Sequence, residues 1–364
     1  MTFQNQYGTT GDVPPAFRAE LRHAGVLIKL LRAIHVPERP KCIITASHLG
    51  LKATCENSTA MQGSAILLKR LFQSFDLRQE YIAVKVNLSL LLKCVGNASH
   101  ENEANFISFQ SPGVGLDSVS EDVSLKLMIR DEWSPLELEV TDGDLTTSLS
   151  MGSEEGGFHL FPDIPDPTAR LSLPSCVFGE MFLEFDPHSE ELGIRVDGDK
   201  FRIFFQSDAG KTEILINNRD EGIKYEYESE EHHHSYLFRL ALIKETLESL
   251  VLSKRTTITT TETVTSFRYQ ILVNPDDGET ADIEYVLTAK YHGDEDPYPF
   301  PESLTEDLDT SDRLPIGAEY HTVTTAQLTS ELGAMNVDTP LFSPVHQEEE
   351  DQFDDEDDAF LNNV

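Results

Sequence analysis

Charge along this chain is divided into two unlike parts, and the division decides how much of it can pack into a core. From Gly293 to Val364 there are 20 acidic residues and one basic residue, Arg313, a net of −19. That stretch includes Glu348-Glu349-Glu350-Asp351 and the run Asp354–Asp358, with several prolines and few aliphatic side chains. Such a segment cannot bury enough apolar surface to offset the entropy lost on ordering it. A disordered acidic tail over 293–364 is therefore expected, which leaves 1–292 to fold. Of the formal net charge of −36 on 364 residues, those first 292 carry −17, from 44 acidic and 27 basic residues.

The balance argues against a protein that coats nucleic acid by bulk attraction and against a polybasic membrane binder, both of which need excess Lys and Arg. No apolar run approaches the ~20 residues of a membrane helix. The stretch Met1–Gln6 lacks the basic-then-apolar pattern of a signal peptide, so a reducing compartment is expected. Cys42, Cys55, Cys94 and Cys176 form no C-x-x-C and have no zinc-type spacing, and they read as buried thiols.

Within the body, alternation and helical spacing mark out two runs of elements. Strands are expected at 17–21, 42–46, 51–55, 65–68, 81–86, 124–129, 136–140 and 145–151, with helices over 23–35 and from Asn87, a capping residue, to Gly96. A Gly/Pro-rich passage follows. Beyond it lie strands at 169–173, 192–196, 201–205, 213–216, 236–240, 256–261, 266–273 and 283–290, and helices over 175–185 and 243–252. The expected division is an N-terminal domain 1–151, a connector 152–168, a C-terminal domain 169–292 and the tail. Each half repeats the order strand, helix, strands, strand, helix, strands.

In the first helix Leu27, Leu30, Leu31 and Ile34 share one face, and Arg22, Lys29 and Arg32 gather on the other. In the last, Ile243, Leu247, Leu250 and Val251 form the apolar face, with Lys244, Lys254 and Arg255 on or near the opposite side. The second helix offers Lys93. These are either ordinary solvated faces or sparse cations set against a phosphate backbone.

Several segments resemble the Rad-one subunit family of the checkpoint sliding clamp. They are Gly50-Leu51-Lys52, Cys55-Glu56-Asn57, Phe72-Gln73-Ser74-Phe75 and Val86-Asn87-Leu88-Ser89-Leu90-Leu91 in the first half, with the helix end Leu30–His35. In the second half they are Phe201-Arg202-Ile203, Tyr236–Leu240, Val251-Leu252-Ser253, Phe267–Val273 and Ile283-Glu284-Tyr285. The resemblance covers roughly 13–292, with gaps at 97–121 and around the connector. It implies an α+β sliding-clamp fold like that of PCNA, with two similar β-rich domains that each carry two helices on an inner face. It implies one member of a heterotrimeric ring, with two other clamp subunits in 1:1:1 proportion, placed on double-stranded DNA by a clamp loader. It further implies a nuclear platform for checkpoint kinase activation and repair enzymes, with no cofactor and no membrane contact. Arg22, Lys29, Arg32, Lys93, Lys244, Lys254 and Arg255 are then the candidate channel residues. A ring retains DNA topologically, so a few phosphate contacts suffice on an acidic body.

Some members of the family have been described as 3′→5′ exonucleases. Asp282-Ile283-Glu284 has a D-x-E spacing, but alternation makes both carboxylates the solvated polar face of a strand, and no catalytic residue is assigned. His232-His233-His234 is read as a solvated loop rather than a metal site. A homotrimeric replication clamp is the other alternative to the heterotrimer. Strand 201–205 and the first-half strands opposite 65–86 are either ring edges or core, because edge and centre read alike. Phe158, Leu160 and Phe161 in the connector are candidate client-docking residues. Thr339 and Ser343, each before a proline, are candidate phosphorylation sites in the tail, where Phe353 and Phe360-Leu361 could dock on a basic cleft. The tail itself departs from the family pattern.

Overall fold

A computed structural model of the chain describes residues 14–58, 60–98, 123–131, 133–155, 166–182, 189–197, 200–207, 210–216, 222–227, 233–274, 278–293 and 321–324. The first half runs β1 (Phe17–Leu21), α1 (Ala24–Ala33), β2 (Lys41–Ser47), β3 (Gly50–Ser58), β4 (Met61–Leu68), β5 (Ser74–Leu77), β6 (Tyr81–Asn87), α2 (Leu88–Ala98), β7 (Val123–Ile129), β8 (Leu136–Asp142) and β9 (Leu145–Met151). A two-residue strand, β10 (Glu154–Glu155), follows. The second half runs β11 (Ala169–Pro174), α3 (Ser175–Met181), β12 (Glu191–Asp197), β13 (Lys200–Ser207), β14 (Gly210–Ile216), β15 (Lys224–Tyr227) and β16 (His233–Arg239). It continues through α4 (Leu240–Glu245), α5 (Leu247–Leu252), β17 (Arg255–Thr260), β18 (Val264–Asn274) and β19 (Glu279–Thr288), and ends in β20 (Tyr291–Gly293) and β21 (His321–Thr324).

The repeat read from element order extends to strand pairing. In the first half one sheet has the order β5-β1-β7-β8-β9, and β6-β2-β3-β4 make up part of another. The second half repeats both orders, as β15-β11-β17-β18-β19 and β16-β12-β13-β14. The halves join where β19 pairs antiparallel with β4, from Asp282 opposite Ile66 to Leu287 opposite Met61, giving one ten-stranded sheet. The short strands repeat as well: β10 lies beside β6 as β20 lies beside β16.

Local chemistry explains most element limits. β7 alternates buried and half-buried residues along its whole length, as a strand with one core face must. Asn87 caps α2, its Oδ1 accepting from the Leu90 N–H at 2.9 Å. The helix expected over 243–252 begins earlier and is broken in two. Thr246 turns its hydroxyl back onto the Ile243 carbonyl at 2.8 Å, which separates α4 from α5, and Tyr269 in turn donates to Thr246 at 2.7 Å. At the β12–β13 pairing the tip of the Phe204 ring stands over Gly193, where a Cβ would sit 1.9 Å from Cζ, so a larger residue would have to push the buried ring aside.

Two expectations change. His233 and His234 belong to β16, opposite Asp197 and Val196, and not to a loop; His232 lies outside the described residues. The segment assigned wholly to a tail contributes β21, which pairs in parallel with β14. The sequence carries a local reason: Thr322, Val323 and Thr324 are consecutive β-branched residues, and no Asp or Glu occurs from 320 to 330.

The core is a single cluster through both halves, and Tyr285 of β19 stands at the joint. Fully buried, its hydroxyl donates to the Ala33 carbonyl at the end of α1 (2.7 Å) and accepts from Ser249 of α5 (2.9 Å). Burial pushes the phenols of Tyr285 and Tyr269 well above their usual range, so both act as neutral hydrogen-bonding groups. Tyr285→Phe should keep the fold, leave Ala33 O and Ser249 without that partner, and cost about 1–2 kcal/mol in denaturant unfolding.

Candidate nucleic-acid interface and subunit edges

The candidate cations occupy different local settings. Arg22 is exposed just ahead of α1. Lys29 and Arg32, three residues apart on α1, are half-buried, and the Arg32 guanidinium lies over Gly96 of α2, 3.7 Å from where a Cβ would stand. Arg32 thus reaches across from α1 to the α2 surface at Gly96. Lys93, one turn before Gly96, is exposed. The two helices also meet through His35 and Ser89, 2.7 Å apart, and burial holds the His35 imidazole below its usual range. At the pH of most assays this histidine adds no charge to the stripe.

In the second half Lys244 is exposed on α4, with Glu245 and Glu248 exposed nearby. Lys254 is exposed between α5 and β17 rather than on a helix. Arg255 begins β17 and is committed to the fold: its Nε donates to Ser172 at 2.7 Å and its guanidinium to the Gly222 carbonyl at 3.1 Å. The helix ends at Leu252, as expected, and the residues after it turn into a strand that carries Arg255. α3 contributes Glu180 and no cation. Tyr285 brings α1 and α5 against one face of the ten-stranded sheet, so the cations of the two halves belong to helices that share a layer.

On the other face of β19, Asp282 and Glu284 are buried rather than solvated, at 4% and 3% exposure. Asp282 is paired with Arg268 of β18 at 2.6 Å, and Glu284 acts electrostatically on Lys52, itself buried on β3. Burial lowers the Lys52 pKa and Glu284 partly restores it. The alternation was read correctly, but the face was not, because each acid lies among polar partners on neighbouring strands. Thr54 and Ser64, 3.1 Å apart, continue the same polar patch. A D-x-E pair tied up in this way is placed for structure, and its carboxylates do not converge on an open cleft.

The thiols divide similarly. Cys42 and Cys55 are buried directly opposite each other on β2 and β3, while Cys94 is half-buried and Cys176 exposed, against the expectation of four buried thiols. Contact with Cys55, then burial, holds the Cys42 thiol well above its usual range. Both properties make Cys42 a poor nucleophile. Among the described residues no group of three or more His, Cys, Asp and Glu is arranged to hold a metal ion.

Sheet edges are now distinguishable. Phe201–Phe205 lies in β13, flanked by β12 and β14, and is core. Likewise β4 has β3 and β19 on its two sides, and β6 has β2 and β10. The outer positions that count are β9, which ends the five-stranded sheet, and β14, whose outer side carries only the four residues of β21. On β9, Thr146, Ser148 and Ser150 are exposed, and Leu145 is 53% exposed. Phe158, Leu160, Phe161, Thr339 and Ser343 lie outside the described residues, as do Phe353, Phe360 and Leu361. Sequence reading also missed a groove of about 640 Å³ beside β1 and β5, where Arg18, Lys69 and Arg78 come together around Phe75. Its cations come from three separate segments, so no local pattern announces it.

Comparison with known proteins gives this geometry a context. A family model described as repair protein Rad1/Rec1/Rad17 matches residues 16–266. The cell cycle checkpoint protein RAD1 of Homo sapiens is 26% identical over 271 residues, 73% of this chain and 89% of the relative. The protein of that name from Mus musculus is 25% identical over 271 residues, 73% and 90% of the two chains. Among solved structures, the proliferating cellular nuclear antigen of Entamoeba histolytica superposes with a TM-score of 0.53 at 16% identity, over 76% of this chain and all (100%) of that one. The PCNA2–PCNA3 complex of Sulfolobus tokodaii does so with a TM-score of 0.53 at 14% identity, over 75% and 99%. The fold is that of a sliding clamp.

Because Asp282 and Arg268 are partners within the sheet, Asp282→Ala should cost about 2 kcal/mol in unfolding free energy by removing a charge-assisted hydrogen bond. An Asp282→Ala protein of unchanged stability would contradict this structural role.

Proposed function

This chain belongs to the Rad1/Rec1/Rad17 family of repair proteins, and on that premise we propose that it occupies one position of a 1:1:1 heterotrimeric ring around double-stranded DNA. It is a checkpoint clamp subunit by family and fold. The observation that carries the ring is the β4–β19 joint. In the internal repeat β9 corresponds to β19 and β14 to β4. Each end of the molecule thus carries one half of a joint already made once inside it. A neighbour's β9 laid antiparallel on β14, and β9 laid on a neighbour's β14, would extend both sheets by the same geometry. A head-to-tail contact of this kind closes into a ring when the rotation between subunits allows it.

The electrostatics suit such a ring. Free in solution, an acidic body repels a polyanion, and the few cations of α1, α2, α4 and the α5–β17 link provide too little attraction for tight open-surface binding. Inside a closed ring they need only steer and position the phosphates. Arg22, Lys29, Arg32, Lys93, Lys244 and Lys254 are retained as the proposed channel residues, and Arg255 as a buttress behind them. Backbone contacts carry no sequence information, so binding should not depend on base sequence.

The chain acts as a platform rather than a nuclease in this reading, because Asp282 and Glu284 are engaged within the sheet. Loading by a clamp loader, work in the nucleus and recruitment of repair and checkpoint proteins follow from the same reading. The heterotrimer is preferred to a homotrimeric replication clamp because the family match is to checkpoint proteins.

Two outcomes test the proposal. Lys29→Glu combined with Arg32→Glu, and separately the exposed Lys93→Glu, should shorten retention of a loaded ring on closed circular DNA without disturbing assembly; unchanged retention would count against the channel assignment. Leu145→Asp on β9 should weaken association with the neighbouring subunit by about tenfold, roughly 1.4 kcal/mol, while leaving the isolated chain's unfolding midpoint unchanged.

A further inference from the structure

The outer side of β14 is not empty. β21 pairs with it in parallel, with His321 opposite Thr212, Thr322 opposite Glu213, Val323 opposite Ile214 and Thr324 opposite Leu215. Among the strands of the two repeats β21 has no counterpart. In the first half the equivalent place, beside β4, is filled by β19 of the second half. β21 therefore takes up on β14 the position that a neighbouring chain would need.

We infer that His321–Thr324 is a tethered competitor for the β14 edge, so that a ring neighbour joins this end of the chain only by displacing it. This rests on the clamp reading, since it takes the neighbour's strand to be the displacing partner. The chain's own connectivity makes the contact accessible. After β20 at one edge of the six-stranded sheet, 27 residues separate Gly293 from His321 at the opposite edge. Five strand spacings are about 24 Å, and a chain of that length can span up to roughly 90 Å, so crossing the sheet needs no strain. A strand tethered so closely meets its edge at an effective concentration on the order of millimolar.

The same features make the strand removable. It pairs at four positions where β14 offers seven residues, and it runs parallel, the less stable orientation per residue. A four-residue edge strand is marginal alone. A seven-residue strand such as β9, laid antiparallel, would pair along more of β14. Until then β21 covers unpaired N–H and C=O groups that would otherwise invite edge-to-edge aggregation. Acidic residues on both sides of the strand, Glu319 and Glu331 being the nearest, discourage a second acidic chain from adding outside it. The segment is thus a cap on the free chain and a toll on assembly.

Amide hydrogen exchange on the full chain tests the pairing, and association with the two companion clamp subunits tests the competition. The variant Thr322→Pro/Val323→Pro removes adjacent N–H groups, so one of them is lost whichever way the strand faces. Thr322→Val/Thr324→Val keeps the strand propensity and serves as the matched control. The β14 amides facing β21, within Thr212–Leu215, should exchange about tenfold faster in the proline variant than in the unaltered chain or the valine control. Equal rates in all three would overturn the pairing. The proline variant should also bind the companion subunits about threefold or more tightly, since a larger fraction of molecules presents an open edge. Equal affinities would overturn the competition. If no form bound the companions, the ring reading would fall and the competition with it, while the exchange rates would still decide whether β21 caps β14.

Discussion

Everything else in this molecule depends on the pairing of β4 with β19, two strands more than two hundred residues apart in sequence. That contact converts two similar halves into one continuous sheet and places Tyr285 between the helices of both. A long-range strand pairing is entropically expensive to close, and here it is supported from both faces. On one side Tyr285 ties α1 to α5. On the other, Asp282 and Glu284 engage cations on β18 and β3. Because the contact joins the last strand of one repeat to the fourth strand of another, it also describes what the free ends of the chain lack.

The charge that first argued against DNA takes on a different meaning in this architecture. More than half of the net −36 lies beyond residue 292. The remaining −17 coexists with cations on α1 and α2, where Arg32 reaches the α2 surface at Gly96. A surface that must capture DNA needs dense positive charge, whereas one that surrounds it does not. On the proposed ring, function therefore rests more on the edges than on the cations, and the edges are a property of topology.

Topology was partly legible in the sequence. The repeated element order could be read from alternation at Val123–Ile129 and helical spacing at Leu27–Ile34, and Asn87 announced the start of α2. What could not be read is whatever depends on distant partners. Asp282 and Glu284 alternate as a solvated face would, and only Arg268 and Lys52 on other strands show that they are buried. The Thr246 break needs Tyr269 from β18 to hold it. Arg255 reads from sequence as one more cation beside the last helix, and only Ser172 and Gly222, distant in sequence, show that it is bound into the fold. Both Phe201–Phe205 and β14 end in apolar runs, and which one is the edge follows from pairing. β21 could have been suspected from its three β-branched residues in an acid-free window, but the acidic surroundings dominated the composition.

The central claim, that this chain is one member of a heterotrimeric ring joined through β9 and β14, is tested most directly by the mass of the assembly it forms. Native mass measurement after co-expression with the two companion clamp subunits should find one copy of each in a single closed species, and the 40.8 kDa chain alone should remain a monomer. A stable homotrimer of this chain, or a chain that stays alone beside its companions, would contradict it.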